Sequence, residues 1–194
     1  MRDSETVVIV SGLPRSGTSM MMKMLEAGGL VPLTDEIREA DSDNPKGYYE
    51  FERVKQLDKG DKEWVVDARG KVVKVISALL RHLPDDYHYK VIFMRRALEE
   101  TLRSQKKMMV RRGTDNDKVN DEQMSMLFRA HLKQVEAWLA KQPNMGVMYV
   151  SYNEMLTDPT TQAEAVNDFL GGGLDLEKMV GVVDPKLYRN RQSP

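Results

Sequence analysis

The sequence predicts an α/β fold with a central parallel β-sheet flanked by helices. Three observations carry that expectation. Short apolar runs rich in β-branched residues recur at 7–10, 72–76, 91–94 and 147–150. None alternates strictly with polar residues, so each reads as a strand covered on both faces. Stretches with helical spacing separate them, and alternating strands and helices build a parallel sheet. Finally, the first run leads straight into Gly12-Leu13-Pro14-Arg15-Ser16-Gly17-Thr18-Ser19, a glycine turn that opens a helix. In such sheets the ligand crevice lies at the carboxyl ends of the strands.

Each element follows in order. The first helix begins at the glycine turn, runs to about Ala27 and stops at Gly28-Gly29. Residues 34–70 are the most polar, with the weakest periodicity and a turn at Asn44-Pro45-Lys46-Gly47; a long irregular functional loop or lid is expected there. The second strand carries Lys74 inside an otherwise apolar run. The third leads into Arg95-Arg96 and a helix over about 98–112. An Asn/Asp-rich turn over 113–120 precedes a long helix in which Met124, Leu127, His131, Val135, Trp138 and Leu139 keep helical spacing. The fourth strand meets Ser151-Tyr152, and a last helix over about 160–170 stops at three glycines. No repeat or linker divides the 194 residues, so residues 1–194 read as one domain.

Composition narrows the function. The 29 basic and 30 acidic residues argue against a general nucleic-acid binder but allow a local basic pocket. There is no cysteine, which excludes disulfides and thiolate metal sites. No stretch resembles a secretion signal or a membrane span. A soluble, cytoplasmic protein without stable membrane insertion is expected.

The glycine turn has the outline of a phosphate loop. Helix first-turn amides have no intrahelical partners, and the helix dipole is positive there. Gly12 and Gly17 let the backbone curl around an anion, and Ser16, Thr18 and Ser19 offer hydroxyl donors. A nucleotide triphosphatase would carry Lys after the second glycine, with an acid elsewhere to hold Mg²⁺. Here Thr18 and Ser19 follow Gly17, and no strand ends in a suitable acid. Arg15 supplies the charge instead, with a planar fork of donors suited to phosphate or sulfate oxygens. A phosphate or sulfate ligand without a metal is the expectation. A second anion site is predicted at Arg96, where the third strand meets its helix, with Ser104 eight residues on. Strand alternation sends Arg95 to the opposite face.

These motifs together resemble the sulfotransferases of the P-loop fold, which use 3'-phosphoadenylyl sulfate (PAPS) as donor. The family's 5'-phosphosulfate loop reads Pro-(Lys/Arg)-Ser-Gly-Thr-(Thr/Ser), matched here by Pro14-Arg15-Ser16-Gly17-Thr18-Ser19. Its 3'-phosphate site pairs a strand-end Arg with a Ser eight residues later, as Arg96 and Ser104 stand here. A third feature, Tyr-Glu-Asp-(Leu/Met) before a helix ending Phe-Leu-Gly, is matched loosely by Tyr152-Asn153-Glu154-Met155 and by Phe169-Leu170-Gly171. The resemblance implies a three-layer P-loop-type fold and adenosine 3',5'-bisphosphate as product. It also implies no catalytic metal, and a nucleotide contact at Tyr152.

The general base stays open at this stage. Cytosolic members of the family carry Lys-x-His at a strand end; here Lys74 fits the lysine, but Ile76 stands at the His position. His82 lies six residues further on. Golgi-type members use a glutamate twenty-two residues after the loop proline, and that count from Pro14 lands on Glu36. Arg15, Glu36 and Lys74 are therefore the expected catalytic residues. The family's C-terminal nucleotide loop is absent, and Arg189 and Arg191 are candidates to replace it. Met20-Met21-Met22 is expected to pack in the core, and Gly47-Tyr48-Tyr49-Glu50 to border the acceptor pocket. The acceptor itself is a small molecule, saccharide or peptide offering a hydroxyl or amine. The rival readings are a P-loop kinase with an altered loop and a non-catalytic nucleotide-binding relative.

Overall fold

The four apolar runs form one parallel sheet in the order β2-β1-β3-β4 in a computed structural model that describes residues 5–35, 48–111 and 121–184. The strands are β1 (Val7–Gly12), β2 (Val72–Lys74), β3 (Tyr89–Arg95) and β4 (Met145–Ser151). β1 is central, pairing Val10 with Lys74 on one side and with Ile92 on the other. Side chains alternate along β1, so its two faces feed two cores. Val8 and Val10 pack with Ile92, Met94 and the helices α1 (Thr18–Ala27), α5 (Pro159–Leu170) and α6 (Leu176–Gly181). Val7 and Ile9 pack with Val91, Phe93, Trp64 and Leu80, and with Val135 and Leu139 of α3 (Asp121–Leu139). Each such fully buried side chain contributes about 1.5–3 kcal/mol. Met21 and Met22 are fully buried and Met20 packs against the same core, as expected of apolar positions on the first helix.

Two expectations are corrected. β4 is not covered on both faces: it is the last strand of the order, and Tyr149 is 38% exposed. The polar stretch is not irregular throughout. It holds two 3-10 segments, Glu52–Lys59 and Glu63–Ala68, which bury Val54, Leu57, Trp64, Val65 and Ala68. Their apolar residues recur every three positions, at 54 and 57 and at 65 and 68, matching the tighter 3-10 turn rather than the α-helix. Phe51 meets Trp64 edge to face at 5.6 Å. The turn around Asn44 and the one over 113–120 lie outside the described residues.

The remaining helices follow local rules. α2 covers Leu98–Arg111. A short α4 (Tyr152–Thr157) follows β4 and is capped by Ser151, whose hydroxyl accepts from the Glu154 amide. Asp158 caps α5 in the same way, with Pro159 in the first turn and Gly171 in the left-handed region at its end. Among the described residues no helix is long and apolar enough to cross a membrane.

Candidate active site

The glycine turn leaves β1 at the middle of the sheet and enters α1 at its carboxyl edge. Gly12 has φ +145°, Arg15 +72° and Gly17 +100°, so the loop winds through conformations that L side chains resist. Gly17 caps α1 without a side-chain hydrogen bond, which leaves the first-turn amides for another acceptor. Space is as restrictive as torsion. A Cβ on Gly17 would lie 2.4 Å from the Tyr152 ring, and one on Gly12 would lie 2.6 Å from Ser16 Oγ. Ser16 is buried, and its hydroxyl has no hydrogen-bond partner. A buried hydroxyl in a cradle of backbone amides is the arrangement an anion completes.

The second predicted anion site sits directly beside the first. Arg15 Nε donates to Ser104 Oγ at 3.0 Å, across 89 residues of chain. Arg96 donates through a terminal nitrogen to the Arg15 carbonyl at 3.2 Å. Its guanidinium lies over the Tyr152 ring, 4.5 Å from the centroid. Arg96 Nε meets the Glu100 carboxylate at 3.0 Å, with the two side chains only 7% and 2% exposed. Asn153 donates to the same carboxylate at 3.3 Å. Thus β1 and its loop, β3 with α2, and α4 each contribute to one cationic cluster. Burial pushes the Tyr152 phenol above its ordinary pKa, against the charge of Arg96. Arg95 goes the other way, as alternation predicted: it stacks on Tyr149 and bonds Glu136 on α3.

Lys74 ends β2 one strand from the loop. Its ammonium donates to the Tyr48 carbonyl, which also accepts from Ser19 at 3.4 Å. Tyr48 is therefore tied to the loop, with its side chain buried. Pro14 is exposed at the loop's tip. His82 falls in the last turn of a third 3-10 segment, Ser77–His82. Glu36, Arg189 and Arg191 lie outside the described residues.

Sequence reasoning gave no role to three further residues. Glu100 holds Arg96, and Asn153, quoted only as part of the motif after β4, donates to Glu100. His131 was read only as a core position of α3; its Nε2 lies 2.8 Å from Ser77 Oγ. Burial lowers its pKa, with the charge of Arg81 adding to the effect.

A parallel α/β sheet with a lysine-free phosphate loop and a neighbouring Arg–Ser pair defines an anion-binding P-loop-type protein. The sulfotransferase domain family model matches residues 5–187, and the chain belongs to that family. It is a sulfotransferase, an enzyme that transfers a sulfuryl group. Among curated protein sequences none matches this chain significantly. Solved structures agree on the fold. The sulfotransferase domain of the Synechococcus PCC 7002 olefin synthase superposes with a TM-score of 0.55 at 14% identity, covering 100% of this chain and 90% of that one. The sulfotransferase domain from the curacin biosynthetic pathway gives 0.54 at 15% identity, over 92% and 78%. Retinol dehydratase, solved with androsterone and the inactive cofactor PAP, gives 0.52 at 18% identity, over 96% and 65%.

Proposed function

We propose that this chain, as one domain, transfers a sulfuryl group from PAPS to a hydroxyl or amine of a small molecule, saccharide or peptide. The observation that carries the reading is the junction of the lysine-free loop with Arg96 and Ser104, made by the Arg15–Ser104 hydrogen bond. A donor with an anion at each end of its ribose would need two adjacent anion sites.

The residues fit that donor. Pro14, Arg15, Ser16, Gly17, Thr18 and Ser19 would hold the 5'-phosphosulfate, with the Ser16 hydroxyl and the first-turn amides as donors. Arg96 and Ser104 would hold the 3'-phosphate, and Tyr152 would form the wall beneath Arg96. The donor supplies the sulfuryl group. Arg15 stabilises the negative charge on the oxygens around the transferring group, and Lys74 adds a second cation from β2. No metal is invoked. Glu36 remains a candidate proton acceptor through its spacing from Pro14. A cytoplasmic location and the absence of nucleic-acid partners belong to the same proposal.

Calorimetric titration with adenosine 3',5'-bisphosphate, AMP and Mg-ATP tests it. Micromolar binding of the bisphosphate, about 8 kcal/mol, with much weaker AMP binding is the expected result. Preference for Mg-ATP would favour a kinase and overturn the donor assignment. Absence of binding to all three would overturn it too.

A further inference from the structure

We propose that His131, oriented by Ser77, takes the acceptor's proton in sulfuryl transfer. The inference rests on the donor reading above and assigns the proton acceptor to His131 in place of Glu36.

The argument begins with register. Val10 pairs with Lys74, and the Val75 amide bonds the Val10 carbonyl. The two chains leave the sheet side by side, one into the glycine loop and the other into Ile76 and Ser77. Ser77 lies three positions after Lys74, a span of at most ~10 Å. Ile76 is 43% exposed at this edge and has no group that accepts a proton. Ser77, by contrast, is 2% exposed. Its hydroxyl faces inward and meets His131 Nε2 at 2.8 Å.

Topology brings His131 to the same edge. α3 leads through a short turn into the amino end of β4, so it runs against the strands. Leu139 packs in the core with Met145, the first residue of β4. His131 lies eight residues earlier on the helix, about 12 Å nearer the carboxyl edge. α3 packs against the Ser77–His82 segment and against α2, the helix that carries Ser104.

Chemistry then selects the role. A hydrogen bond at one imidazole nitrogen fixes the tautomer and leaves the other free to act. In the tautomer whose Nε2–H donates to Ser77 Oγ, Nδ1 carries the lone pair. Burial, and after it the charge of Arg81 on the Ser77–His82 segment, disfavour the imidazolium. A neutral imidazole near pH 7 is poised to accept a proton. In the transfer, the acceptor oxygen or nitrogen forms a bond to sulfur as the bond from sulfur to the bridging phosphate oxygen breaks. That electron pair stays with the departing bisphosphate, and the acceptor's proton passes to Nδ1. Ser77 is a positioning residue in this scheme.

The test uses the full chain with PAPS, following formation of adenosine 3',5'-bisphosphate with water, a simple phenol, an alcohol and an amine as acceptors. His131→Gln keeps an amide to donate to Ser77 but has no proton-accepting nitrogen. It should bind the bisphosphate as the wild type does and turn over at least ~100-fold more slowly. It should also lose the acid limb of the pH–rate profile. Ser77→Ala should keep that limb but move its midpoint. Wild-type turnover and pH profile in His131→Gln would overturn the proposal. So would loss of turnover in Glu36→Gln while His131→Gln stays active. A readout independent of turnover is the pH titration of the His131 ring proton by NMR. Saturating bisphosphate should raise its midpoint by roughly half a unit or more, because a bound anion favours the imidazolium. An unmoved midpoint overturns the assignment while leaving the donor reading intact. Failure of the wild type to bind bisphosphate overturns both.

Discussion

Single residues decide where the charge in this site is held. The Arg96–Glu100 pair is nearly closed to solvent, so each charge depends on the other. Breaking a buried pair leaves one ion uncompensated, at a cost of about 3–5 kcal/mol. Glu100→Ala should therefore lower stability by about that amount in urea unfolding; a loss under 1 kcal/mol would mean that Arg96 finds other compensation. Arg15→Ala should abolish most turnover while the chain stays folded, because Arg15 lies at the loop rather than in the core. Circular dichroism beside the PAPS assay separates the two effects. His131 carries a pH signature. Its folded pKa is lowered from an unfolded value of about 6.5, so the unfolded chain binds the proton more readily. Its contribution to stability is complete above that value and is lost as pH falls toward the folded pKa. Between pH 7.5 and 5.5 the urea midpoint should fall further in the wild type than in His131→Gln, and equal falls would contradict it. Arg96 and Ser104 were legible because strand-end position and spacing single them out. Glu100 was not, since an acid in the first turn of a helix, four residues after an arginine, looks like any exposed surface pair. His131 was hidden for a related reason: a histidine keeping apolar spacing reads as core until its Ser77 partner is seen.

At the scale of elements, the loop and the caps make separable contributions. Gly17 combines φ +100° with a Cβ position 2.4 Å from the Tyr152 ring. Gly17→Ala must strain the loop or displace the ring that underlies Arg96. We expect a stability loss of about 1–3 kcal/mol together with loss of bisphosphate binding. Asp158→Ala is the contrasting case. It removes the hydroxyl-free carboxylate cap at the Thr161 amide, worth about 1 kcal/mol, far along the chain from the loop. Calorimetry should find its bisphosphate affinity unchanged; altered affinity would show that α5 is coupled to the site. The strands and the main helices were legible because continuous apolar runs and 3.6-residue spacing are strong patterns. The 3-10 segments were not, because Val54, Leu57, Val65 and Ala68 follow a three-residue period amid many charges. β4 looked buried from composition alone, yet its central residues are partly exposed, unlike Val72 and Val73 of β2 at the other end of the strand order.

The whole molecule is organised so that one sheet serves both cores and the site. Val7 and Ile9 face one core and Val8 and Val10 the other, from the same six-residue strand that feeds the loop. The cationic cluster draws on the first loop, on α2 and on α4, elements far apart in sequence. A ligand bound there would tie these elements together, while Trp64 packs in the other core. Shared strands should nevertheless transmit the stabilisation, because neither core persists when β1 and β3 separate. At a bisphosphate concentration 100-fold above its dissociation constant, linkage contributes about 2.7 kcal/mol. For a chain of this length that corresponds to an upward shift of about 5–10 °C in the thermal midpoint. We expect one cooperative transition, moved as a whole by the bisphosphate and much less by AMP at equal concentration. The difference should vanish in Arg96→Ala, which lacks the group assigned to the 3'-phosphate. A two-step transition in which the bisphosphate moves only one step would instead separate the chain into two units. The polar segment that buries Trp64 would then be the first place to seek the boundary, because it packs on the face of the sheet opposite α1.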